Sequence, residues 1–272
     1  MRVLGPPAVL AFLSLLAACG GDGQRETGDP GSDPIPSDRP LLVLAASDLE
    51  AIFTPLLARW HETSATRVDV VFGSSGTLAE QIRHGAPADL FFSADHHFVD
   101  RLFDAGVLME GTRTHYATGR LALVVPSGRS LPSGPEALAD PAFGTVAIAN
   151  PDHAPYGRAA RETLASLGIL DTVASRLVPG EHIAHTLHFV RTGNADAGLV
   201  ALGLVAGRDP APLPFHPVDP SLHAPLLQYA AIVEGTPRAA EARAFLDFVV
   251  SEEGQALFAR FGFEPPEVTG EG

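Results

Sequence analysis

From Pro40 onward the chain switches repeatedly between short apolar runs and stretches of helical spacing, and few folds accommodate that alternation. The runs are Leu41 to Ala46, Val68 to Phe72, Leu90 to Phe92, Leu121 to Val125, Val146 to Ala149, Gly198 to Val200 and Ala230 to Val233. Apolar at consecutive positions, they suit strands buried on both faces of a mainly parallel sheet. Between the first two runs, Leu49, Ile52, Phe53, Leu56, Leu57 and Trp60 recur at helical spacing, which puts them on one face. Pro55 lies inside that pattern and predicts either a bend or a late start to the regular helix. Further helices are predicted from Thr77 to His84 before Gly85 and from Arg158 to Leu167 before Gly168, and Thr236-Pro237 reads as a cap followed by proline at the first helical position. Strand, helix, strand repetition predicts an α/β fold, and the roughly 225 residues after Arg39 predict two lobes.

The N-terminal segment has a different character. Arg2 supplies positive charge, Val9 to Leu16 form a short apolar stretch, and Leu16-Ala-Ala-Cys19 closes it with small residues, the pattern of an export signal over residues 1–19. That stretch is too short to span a bilayer permanently. Cys19 is the one cysteine of the chain, which excludes an internal disulfide. Residues 20–39 are nearly all Gly, Asp, Pro, Ser and other polar residues and read as a flexible tether.

With 46% hydrophobic and 18% charged residues, the remainder has the composition to bury a large core or two modest ones. The formal charge is −14, and all 18 basic residues are arginine. Such a field repels nucleic acid and anionic lipid and does not draw an anion from a distance. An anionic guest therefore requires short-range donors.

The ends of the apolar runs supply them. Ala45-Ala-Ser-Asp48 and Phe72-Gly-Ser-Ser-Gly-Thr77 lead from strands into helices, and their hydroxyls and backbone amides are donors. Asn150-Pro-Asp-His-Ala-Pro-Tyr-Gly157 precedes the Arg158 helix, and Gly180-Glu-His-Ile183 precedes one running to about Arg191. Helix starts carry unpaired N–H groups and the positive end of the peptide dipole, so several converging starts bind a dianion without a cationic side chain.

Taken in order, Phe72-Gly-Ser-Ser-Gly-Thr-Leu78, Gly85-Ala-Pro-Ala-Asp-Leu-Phe-Phe-Ser-Ala-Asp95, Asn150 to Gly157 and Arg260-Phe-Gly-Phe263 resemble the periplasmic molybdate-binding proteins of ABC transporters. The resemblance implies a type II periplasmic-binding fold: two α/β lobes, each a mainly parallel sheet flanked by helices, joined by two crossing segments. It implies residues 40–118 with 228–264 as one lobe and 119–227 as the other. It also implies a monomer that binds molybdate or tungstate, hands it to an ABC permease, needs no cofactor and performs no catalysis. The Leu-Ala-Ala-Cys segment resembles a bacterial lipoprotein processing site, which implies a lipid on Cys19 and a protein anchored to a bacterial membrane in the periplasm or at the cell surface.

Residue by residue, the resemblance places the oxyanion against Ser47, with Asp48 beside it, Ser75, Tyr156 and Ile183. Two positions depart from the family pattern. Some members carry a tyrosine after the late strand, whereas Gly198-Leu-Val-Ala201 ends in alanine, so Tyr156 is expected to replace that hydroxyl. Asp48 stands where some members have asparagine. A carboxylate aimed at a dianion is unfavourable in a partly dry site, so Asp48 is expected to cap the first helix and face away. If it faces inward, it can accept the proton of a phosphate.

Other chemistries predict other arrangements. A sulfate or phosphate binder would share the fold. His182, His185 and His188, with His96-His97, raise metal binding, although on a helix His188 turns well away from His182. The three tyrosines Tyr116, Tyr156 and Tyr229 show no cluster in sequence of the kind that holds iron. Gly73-Ser-Ser-Gly76 lacks the Gly-x-Ser-x-Gly spacing of a hydrolase nucleophile, so its hydroxyls are expected to act as donors.

Overall fold

The computed structural model describes residues 39–207 and 211–266; the export signal, Cys19 and nearly all of the tether lie outside the described residues. The first half begins with β1 (Leu41–Ala46), α1 (Glu50–Thr63), β2 (Val68–Gly73), α2 (Ser75–Arg83), β3 (Leu90–Ser93), α3 (His96–Asp104) and β4 (Thr114–Gly119). After Arg120 the chain enters β5 (Leu121–Val124), β6 (Val146–Ala149), α4 (Pro155–Ser166), α5 (Leu170–Val173), β7 (Leu177–Gly180), α6 (Ile183–Arg191), β8 (Ala197–Ala201) and β9 (Phe215–Pro217). It then returns through β10 (Leu226–Ile232), α7 (Ala239–Val250) and α8 (Glu252–Arg260).

These strands build two five-stranded sheets, ordered β2-β1-β3-β10-β4 and β7-β6-β8-β5-β9. In the first, β1 pairs in parallel with β2 and β3 while β10 runs against β3 and β4. The second repeats the plan, with β6 parallel to β7 and β8 and with β5 running against β8 and β9. Two lobes result, and the chain crosses between them at Arg120 and again between β9 and β10.

Consecutive apolar residues make β1 and β3 because both faces of their sheet are covered. On one face Phe53 of α1 meets the edges of Phe72 and Phe92 at 5.7 and 5.6 Å, and Trp60 meets Phe245 of α7 at 5.3 Å. On the other, Leu44 and Phe91 pack with Leu78, Ile82, Val99 and Leu102 from α2 and α3. The predicted apolar face of α1 is the buried one: Ile52, Phe53, Leu56 and Trp60 are enclosed and Leu57 is partly so. Regular α-helix begins at Glu50, after a tighter turn at Ser47–Leu49, and continues through Pro55. Thr236 does not cap α7. Its hydroxyl accepts from Arg238 N–H and bonds Asp89, and the helix starts at Ala239.

Candidate functional site

Each lobe sends helix starts toward the other from the carboxyl ends of its parallel strands, where open α/β sheets present their ligands. Ser47 opens the turn after β1, Ser75 is the first residue of α2, Tyr156 the second of α4 and Ile183 the first of α6. First-turn N–H groups have no acceptor within their own helix, so these starts carry donors and the positive dipole end. Ser47, Asp48, Ser75, Tyr156 and Ile183 all line one small cavity, of about 10 Å³, between the lobes. All five are at most 4% exposed. The remaining lining is Ala, Gly, Pro and Ser74, with no basic side chain.

The serines keep donating capacity. Ser75 Oγ accepts from Ala94 N–H at 2.9 Å, which leaves its own hydrogen free to turn to the cavity. Ser47 Oγ lies 3.5 Å from the Ala184 amide of the opposite lobe. Neither hydroxyl meets a base. The serine that does meet a histidine is Ser74, whose Oγ lies 2.8 Å from His153 Nδ1 while it caps α2 by accepting from Thr77 N–H.

Asp48 does not do what was expected of it. Neither the turn at Ser47–Leu49 nor α1 has a side-chain cap, and the Asp48 carboxylate turns inward, fully buried. Its Oδ2 accepts from Tyr156 Oη at 3.1 Å and from Gln228 Nε2 at 2.7 Å, and Gln228 Nε2 also lies 3.0 Å from Tyr156 Oη. Asp48 Oδ1 and Gln228 Oε1 are buried without a hydrogen-bond partner among the described residues. Burial pushes the Asp48 carboxyl up to about 7, against the Gln228 and Tyr156 hydrogen bonds that favour its charge; Glu50 adds repulsion. Burial, then Asp48, pushes the Tyr156 phenol up as well. The Tyr156 hydroxyl is therefore committed to Asp48, which leaves the backbone N–H as the donor Tyr156 has to spare.

Gln228 escaped the sequence reading. The available signal was a fully buried amide inside the otherwise apolar strand Leu226–Ile232, which requires a polar partner. Gly119 completes the arrangement. A Cβ there would fall 2.2 Å from Tyr156 Oη and 2.6 Å from Gln228 Nε2, so only glycine lets the crossing chain pass behind the pair.

Other contacts hold the lobes together around the cavity. Gly76 N–H donates to the His153 carbonyl at 3.0 Å, and a Cβ on Gly76 would come within 2.8 Å of that oxygen. Arg158 of α4 pairs with Asp95 of the first lobe. Burial works against the Asp95 charge, but the His97 amide and the Arg158 guanidinium hold its carboxyl below the usual range.

The histidine candidates do not line this cavity. Rings of His182 and His185 are 6.0 Å apart and those of His185 and His188 6.5 Å, and His182 serves as the cap of α6. Among the described residues, Asp95, His96 and His97 form the one group of three side chains with metal-ligating atoms, and Arg158 already occupies that carboxylate. Tyr116 and Tyr156, separate in sequence, are both buried within electrostatic reach of Asp48. A wider cavity of about 640 Å³ lies at the opposite, amino-terminal ends of β1 and β3, beside Asp89. There Arg39, Leu42 N–H and Thr236 already satisfy the carboxylate.

This geometry has known counterparts. A family model described as bacterial extracellular solute-binding protein matches residues 41–264. The chain is 33% identical over 219 residues, 80% of its length and 82% of the relative's, to the Molybdate-binding protein ModA of Rhodobacter capsulatus. It is 30% identical over 229 residues, 82% of its length and 88% of the relative's, to the protein of the same name from Escherichia coli K12. The solved periplasmic molybdate-binding protein of Azotobacter vinelandii superposes with a TM-score of 0.79 at 29% identity, covering 84% of this chain and 100% of that one. The two-lobed type II fold implied by the motifs is the fold observed. With its family match running from β1 to the last described residues after α8, the chain belongs to the bacterial extracellular solute-binding proteins.

Proposed function

We propose that this protein captures molybdate or tungstate between its lobes and delivers it to an ABC permease, acting by binding and release without turnover. One observation carries the reading: helix starts from both lobes converge, with two serine hydroxyls, on a small cavity lined by no basic side chain. Donors of this kind suit a fully deprotonated oxyanion, and with Asp48 inward, discrimination against a guest that brings a proton of its own turns on the charge state of that carboxyl. The cavity is small, which favours a small ion over an organic solute. Relatives named for molybdate binding, matched over most of their length, support the choice among oxyanions.

In this reading residues 40–118 with 228–264 close against 119–227. Ser47 and Ser75 donate from the first lobe, and the backbone amides of Tyr156 and Ile183 from the second. The protein works as a monomer outside the cytoplasm, held to the membrane by a lipid on Cys19. No described helix is long and apolar enough to cross a bilayer. Partition of the Cys19→Ser protein into the soluble fraction is the expected sign of that anchor.

The functional test is a thermal-shift and calorimetric panel of molybdate, tungstate, sulfate, phosphate and divalent metals. Molybdate and tungstate are expected to stabilise most, and Ser75→Ala to weaken their binding by about 1.5–3 kcal/mol. A larger shift with sulfate, phosphate or zinc overturns the assignment.

A further inference from the structure

The cavity holds one group that a site for dianions would not be expected to contain. Asp48 is fully buried, lines the cavity and bonds both its neighbours through Oδ2 alone. Oδ1 is left buried and without a hydrogen-bond partner among the described residues. An ionised carboxylate in that position would repel a dianion at close range in a medium that screens poorly. A neutral carboxyl would instead present an O–H donor on Oδ1, of the same kind as the serine hydroxyls.

No cationic side chain faces Asp48; only the Gln228, Tyr156 and backbone hydrogen bonds favour its charge. From α4 it meets the Tyr156 phenol, from β10 the Gln228 amide, and from α1 the Glu50 carboxylate adds repulsion. Tyr116 of β4 is a neutral phenol whose own ionisation Asp48 opposes. The starts of α2 and α6 bring Ser75 and Ile183, and the lining has no arginine or histidine.

Resting on the oxyanion reading above, we propose that Asp48 grips the bound oxyanion as a neutral carboxyl, so that one proton enters the cleft with each dianion. Burial already brings the carboxyl to about 7 before the guest adds its negative charge. Binding then raises it further. The proton stays on Asp48 and leaves with the guest; no bond of the oxyanion is made or broken.

Calorimetry of molybdate binding at about pH 8, in two buffers of different ionisation enthalpy, measures the protons taken up. The expected result is about one per molybdate, with affinity weakening about tenfold per pH unit above neutrality. Asp48→Asn, which cannot titrate, is expected to take up none and to lose the pH slope. Wild-type protein that binds molybdate without proton uptake and with a flat pH profile overturns this inference and leaves the proposed function standing. Tighter binding of hydrogen phosphate than of molybdate, lost in Asp48→Asn, overturns it too, because the proton is then carried by the guest and Asp48 accepts it. Absence of molybdate binding at about pH 6 as well as pH 8 overturns both readings. The wild-type measurement decides the matter even if the variant folds poorly.

Discussion

Asp48 is the residue at which local and tertiary preferences conflict. Its neighbours in sequence invite a cap, yet Tyr156 and Gln228, 108 and 180 positions away, draw the carboxyl inward. Because its folded value is raised to about 7, unfolding releases a proton between that value and the ordinary carboxylate range. The stability it contributes is thus complete in acid and is lost as pH rises from about 4 to about 7. Asp48→Asn is therefore expected to become progressively more stable than the wild type across that window, by on the order of 4 kcal/mol at its upper end, as denaturant unfolding at several pH values would measure. A constant difference across the window would show that the carboxyl does not titrate there. Gly119 is equally specific. Gly119→Ala is expected to cost about 1–3 kcal/mol, since the added methyl displaces buried Tyr156 or Gln228, and to weaken oxyanion binding with it.

At the scale of elements, what the sequence made legible follows burial. β1, β3 and β6 read directly because they lie inside their sheets, where nearly every residue is buried and apolar. The strands that escaped notice, β4, β7 and β9, are all edges. Thr114–Gly119 buries only part of its length and Phe215–Pro217 none, so neither needs a continuous apolar run. The site divides in the same way. Helix starts after strands announce themselves through Ser, Gly and Pro, while the single residues Ser47, Ser75, Tyr156 and Ile183 were picked out by the resemblance to a known family. Which atom of Tyr156 is available depends on a carboxylate from the opposite lobe, and no local pattern encodes that.

For the whole molecule, the two sheets share one strand order, and the lobes meet through polar contacts around the cavity and through apolar packing of Leu202 and Gly203 against Gly262 and Phe263. Arg158 with Asp95 is the ionic one beside the cavity, as Arg120 with Glu264 is at the crossing, and with the Arg158 side chain 44% exposed its contribution is about 1 kcal/mol or less. Arg158→Ala is accordingly expected to favour separated lobes modestly. Small-angle scattering should show a larger radius of gyration without oxyanion and little change with it. A wild-type radius in the unliganded variant would mean that the other contacts between the lobes, polar and apolar, suffice to keep them together.

The bond from Gly76 to the His153 carbonyl has a mechanical corollary. Neighbouring donors of one helical turn then have different tasks: on the proposed reading the Ser75 hydroxyl meets the guest, while the Gly76 amide fastens the two lobes. An ion too large for the cleft would tilt that turn and unfasten the lobes in the same motion. Selectivity by size would then be exercised through the latch, before any difference in grip is felt.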